Sequence, residues 1–158
     1  MTAMPAMTLA AFLSAHVLAQ PPQAGQRGRG AQSSSTVSVT QTRTQEGITS
    51  YWEISSQRAD RLPSWNPRNT PNPPLSSGDA IKVGEDWLRQ QNPEVKTFEL
   101  TNLTLARGYG VFAQSDRWYY MMYFDPVVGG RRLAGGSNFA AVVLLDGSVV
   151  EPRIEKGR

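Results

Sequence analysis

The chain reads as an α+β protein in which one helix packs on an antiparallel sheet, with an N-terminal β-hairpin added. Three observations predict this. Residues 76–91 repeat apolar side chains at three- and four-residue steps, the period of a helix. The segments on either side, 37–55 and 95–151, alternate at period two as strands do. Residues 117–124 (RWYYMMYF) carry large side chains at almost every position, so a strand there places large apolar or aromatic groups on both faces of a sheet.

Taken in order, residues 7–19 (MTLAAFLSAHVLA) form an apolar run of signal-peptide length ending in Val17-Leu18-Ala19, and 1–19 is predicted to be a signal peptide cleaved before Gln20. No basic residue precedes the run, a departure from the usual leader. It is shorter than the roughly 20 apolar residues of a membrane span. A secreted or periplasmic location follows, with no membrane span. Residues 20–36 are Gln, Gly, Pro and Ser-rich without a large apolar side chain, so burial cannot offset their ordering entropy, and they read as a disordered linker.

The single domain then occupies 37–158. Residues 37–43 and 48–55 alternate and flank Glu46-Gly47, which predicts a hairpin over 37–55. Prolines crowd residues 61–75 (RLPSWNPRNTPNPPL), which makes an extended strap that Trp65 pins to the core. Ser76-Ser77-Gly78-Asp79 supplies a helix cap and a first-turn carboxylate, and Asn92-Pro93 the stop. Ala80, Ile81, Gly84, Trp87 and Leu88 form the buried stripe of that helix, with Gly84 allowing close approach to a sheet. Phe98, Leu100, Leu103 and Leu105 predict a strand irregular near Asn102, ending at Gly108-Tyr109-Gly110. Residues 118–124 and 139–145 are the next strands, with Asp146-Gly147 as a turn and Val149-Val150 beyond it. Two Gly-Gly pairs mark 126–138 as a long mobile hairpin loop.

Composition narrows the chemistry. The 16 Lys and Arg against 13 Asp and Glu leave a charge of +3, without a dense basic patch, which argues against nucleic acid. Absence of cysteine removes disulfides, thiol nucleophiles and cysteine-ligated metals. The one histidine, His16, lies in the predicted leader, so the mature chain would lack imidazole for nucleophilic triads or acid–base work. No acid spacing resembles a calcium loop, and Gly108-Tyr109-Gly110 lacks the context of a phosphate loop. Asp116 and Asp125 bracket the aromatic strand at opposite ends, a poor arrangement for a carboxylate pair. No cofactor, metal or catalytic residue is expected.

Residues 77–88 (SGDAIKVGEDWL), 117–124 and 142–150 (VVLLDGSVV) together resemble the PepSY and PepSY-like domains, exported bacterial modules of cystatin-like build. The resemblance covers 75–151. It implies one helix across an antiparallel sheet and a binding or protease-inhibitory role, and it transfers no active site. The N-terminal hairpin and the Trp65 strap are departures from that pattern.

On the aromatic strand, Trp118, Tyr120, Met122 and Phe124 share the face expected to meet the helix. Tyr119, Met121 and Tyr123 share the other, for which three readings stand: cover by the hairpin or strap, a homodimer, or an open platform for a protein partner such as a protease. Arg131 and Arg132 of the glycine-flanked loop complete the candidate partner-binding residues. A self-associating envelope protein and a small cystatin-fold enzyme using carboxylates are the alternatives.

Overall fold

The computed structural model describes residues 35–43, 47–108, 110–133 and 139–156. The expected leader, and the expected linker up to residue 34, lie outside the described residues. In chain order the elements are β1 (Thr36–Arg43), β2 (Ile48–Ser55), α1 (Ser56–Arg61), α2 (Ser77–Gln91), β3 (Thr97–Arg107) and α3 (Gly110–Gln114). There follow β4 (Trp118–Val128), β5 (Arg131–Arg132), β6 (Ala140–Leu144), β7 (Val149–Val150) and β8 (Pro152–Lys156). The strands form two antiparallel sheets, one ordered β1-β2-β8 and one ordered β3-β4-β6-β7 with β5 beside β4.

The α+β class is as predicted, with a helix on an antiparallel sheet. Ser76 caps α2 by accepting from the Asp79 N–H at 3.1 Å, and Asn92 ends it with its N–H on the Leu88 carbonyl. The buried stripe of α2 is Ala80, Gly84 and Leu88. A Cβ placed on Gly84 would stand 2.8 Å from Met122 Cε and 3.3 Å from Ala141 Cβ, so glycine is what allows the helix to lie this close to β4 and β6. Lys82, Glu85, Asp86 and Arg89 pair along the outer face.

The two faces of β4 meet two cores. Tyr120, Met122 and Phe124 pack with Ala80, Leu88 and Val143 under α2. Tyr119 and Met121 pack with Val39, Trp52 and Ile54 of the other sheet and with Phe112. Of the three readings of that face, cover is what the described residues present. The covering layer is more than the strand pair β1-β2, because β8 joins it as a third strand. The chain switches sheets at Glu151, between β7 and β8. Arg58 ties the corner with Nη2 bonds to Ser148 Oγ at 2.8 Å and to the Val149 carbonyl at 3.0 Å.

The structure adds elements that the sequence pattern did not predict. α1 continues straight from β2, capped by Ser55, and takes up Arg61, the first residue of the expected strap. Its last turn is held by Arg117, whose Nη1 donates to the carbonyls of Ala59 and Leu62. α3 follows the glycine break and buries Phe112, 1% exposed. Such short helices have no full period to read, and only tertiary contact supports them.

The expected loop 126–138 is corrected at its start. β4 runs through Pro126 to Val128, turns at Gly129-Gly130, both with positive φ, and returns as β5. Pro126 is tolerated inside a strand because its carbonyl, and not an amide, serves the neighbour, accepting from Leu133 N–H at 3.0 Å. Residues 134–138 lie outside the described residues.

Candidate functional site

Aromatic anchoring fixes the strap first. Trp65 is buried against Trp118, its N–H bonds the Asp116 carbonyl at 2.9 Å, and its indole Nε1 donates to Thr70 O at 2.8 Å. At the far end the Tyr120 hydroxyl donates to the Leu75 carbonyl at 2.9 Å. Burial raises the Tyr120 pKa above the ordinary tyrosine value, so the hydroxyl keeps its proton as a donor. The strap is not extended throughout as the prolines predict: it turns at residues 66–70, where the N–H groups of Asn69 and Thr70 both donate to the Asn66 carbonyl at 3.0 Å, before Pro71, Pro73 and Pro74 lead into α2.

Between strap and sheet lies a groove of about 440 Å³, lined by Asn72, Pro73, Ser76, Ser77, Leu103, Leu105 and Tyr120. One wall is β3, an outermost strand of its sheet. The direction of its backbone groups follows from β4. Phe124 N–H bonds the Phe139 carbonyl at 2.9 Å and Pro126 O accepts from Leu133, so even-numbered residues of β4 face β5 and β6. Tyr123 O faces β3 instead, where Thr101 Oγ1 donates to it at 3.0 Å.

Backbone polar groups alternate along a strand, so the ladder between β3 and β4 uses Tyr119, Met121 and Tyr123 with their partners Ala106, Thr104 and Asn102. Leu103 and Leu105 therefore turn their N–H and C=O outward, and no strand lies beyond them among the described residues. The same two residues supply groove-wall side chains. Thr101, at the register shift between Leu100 and Asn102, bounds this open stretch, its hydroxyl bonding β4 where the regular ladder is interrupted.

The sequence-predicted residues are distributed differently. Tyr119 and Met121 are 4% and 6% exposed between the sheets, so neither presents a docking surface. Tyr123 is half-buried at the margin of the same core, its pKa raised by burial and then by neighbouring Tyr119. Arg132 is engaged: its Nε bonds the Asp125 carboxylate at 2.5 Å and its Nη1 lies 3.6 Å from Glu99. The Asp125 hydrogen bond is the first cause that raises the Arg132 pKa. Arg131 is exposed beside it on β5. These five residues do not converge on one site.

Asp116 pairs with Arg107 at 2.5 Å and Asp125 with Arg132, each carboxylate answering an arginine and not the other acid. Among the described residues no three His, Cys, Asp or Glu side chains gather as metal ligands, and no helix is long and apolar enough to cross a membrane. The groove residues Leu103, Leu105 and Pro73 escaped sequence reasoning. The alternation of Leu103 and Leu105 was visible, but the position of β3 at a sheet edge depends on strand order.

Fold and groove together define an α+β protein whose helix-covered sheet ends in an open strand beside an apolar groove. Comparison with family models, curated proteins and solved structures gave no match for the chain.

Proposed function

We propose that the chain is an exported, non-enzymatic PepSY-like module that binds a protein partner, with secreted proteases as the first partner class to test. The observation that carries the binding reading is the coincidence of an apolar groove with an open strand edge at Leu103 and Leu105. The lie of α2 across β3, β4, β6 and β7 is the arrangement a cystatin-like build calls for, and it supports the resemblance. With Tyr119 and Met121 buried, the interface moves from the sheet face to the strand edge.

The test is co-purification from the native exported fraction, followed by reconstitution of the complex from purified components. A stoichiometric protein partner is expected, and a partner that is a protease should lose activity as the chain is titrated in. Recovery of no partner that rebinds in purified form would overturn the proposal.

A further inference from the structure

Resting on the protein-binding reading, we infer that the ligand is an extended peptide segment, added as a further strand on the β3 edge, with alternate apolar side chains seated in the groove. Two requirements meet at the same two residues. The outward N–H and C=O groups of Leu103 and Leu105 offer alternating partial charges, and the complement to that array is another extended backbone. Their side chains lie on the Tyr120 face, beside Pro73, where a groove of about 440 Å³ is open. A strand paired there places its residues opposite Leu103 and Leu105 with side chains on that same face.

The geometry sets the length of the ligand. The open stretch runs from Asn102 to Arg107, bounded on one side by the irregularity at Thr101 and on the other by the end of β3. About six partner residues match it, spanning roughly 17 Å at about 3.4 Å per step along the strand. The groove is apolar at Pro73, Leu103 and Leu105, with Asn72, Ser76 and Ser77 on its rim, so it selects apolar side chains at positions i and i+2 of the ligand. The residue between them points to the other side of the sheet, where Asn102 and Thr104 are exposed. A polar side chain suits it.

Selection of phage-displayed random peptides on the full chain tests this. Binders are expected to share an apolar–polar–apolar pattern. N-methylation of a selected peptide at the amides facing β3 is expected to weaken binding about tenfold or more, with methylation at the alternate amides nearly silent. The protein is untouched in that comparison, so folding does not confound it. Leu103→Arg, checked for retained circular dichroism and Tm, should lose the same peptides.

Binders without the i, i+2 pattern, equal tolerance of methylation at both sets of amides, or no binders at all would overturn the inference. So would a dimer by light scattering that Leu103→Arg abolishes, since a second copy would then own the edge. A natural partner retained equally by wild type and Leu103→Arg leaves the module reading standing and removes the edge. Peptides that bind as described, with no natural partner recovered, leave the edge standing and remove the module reading.

Discussion

The indole of Trp65 stands edge-on to that of Trp118, ring centroids 5.2 Å apart and planes at 68°. The pair joins the proline-rich strap to the first residue of the central strand. Trp65 is 8% exposed, and nothing else in its immediate segment is as large. Removing it strips buried aromatic area, the edge-on contact and the Nε1 bond to Thr70 O together.

Trp65→Ala is therefore expected to cost about 3–5 kcal/mol, the usual range for truncating a buried indole. Denaturant unfolding measures the loss. Limited proteolysis should cut the variant first within 62–75, ahead of global unfolding. A variant within about 1 kcal/mol of wild type would show that the strap is held elsewhere.

A second expectation concerns alkaline pH and Tyr120. Its pKa is raised by burial, so the native state binds the phenolic proton more tightly than the unfolded chain. Below the unfolded value, about pH 10, both states are protonated and pH has no effect through this group. Above it the unfolded chain sheds the proton first, and stability falls by up to about 1.4 kcal/mol per pH unit until the folded value is reached. Tyr123, raised in the same direction, adds to the slope. Tyr120→Phe should lower stability by about 1 kcal/mol at neutral pH through the lost Leu75 hydrogen bond. It should also flatten the fall above pH 10, measured as Tm against pH. An unchanged slope would mean that Tyr120 does not report the alkaline transition.

How far the sequence carried the fold is visible in Gly84, Thr101 and Phe112. Gly84 was legible, because a glycine in the apolar stripe of a helix has a cost that only close packing answers, and Met122 and Ala141 are where it packs. The register shift at Thr101 was legible as a break in the Leu100–Leu103 alternation. Phe112 was not, because a five-residue helix shows no period and its burial comes from β1 and β4. β8 was missed for a related reason. Pro152, Arg153 and Glu155 look like a polar tail, and the pairing with β2 exists only because the chain has switched sheets.

The candidate site was legible in its parts and not in its assembly. Tyr119 and Met121 drew attention as large side chains on a second face, and that face turned out to be occupied by Val39, Trp52 and Ile54. Local pattern says that a face is apolar. It does not say which other segment of the chain covers it, and the groove at Leu103 and Leu105 arises from strand order in the same nonlocal way.

The last prediction concerns Asp125, which is 6% exposed near one end of β4 while its partner Arg132 sits half in solvent. A carboxylate this shielded needs its cation more than the cation needs it, because desolvation falls on the buried member. Arg132→Gln is expected to lower Tm by several degrees, leaving Asp125 and Glu99 of the adjacent strand to repel each other across the β3–β4 register. Asp125→Asn removes both the need for the cation and part of the repulsion, so the double variant Asp125→Asn/Arg132→Gln should recover part of the loss. A thermal-melt double-mutant cycle measures the coupling. Simple addition of the two single effects would make the ion pair a surface contact without structural weight, and would leave Arg132 as free as Arg131 to serve a partner.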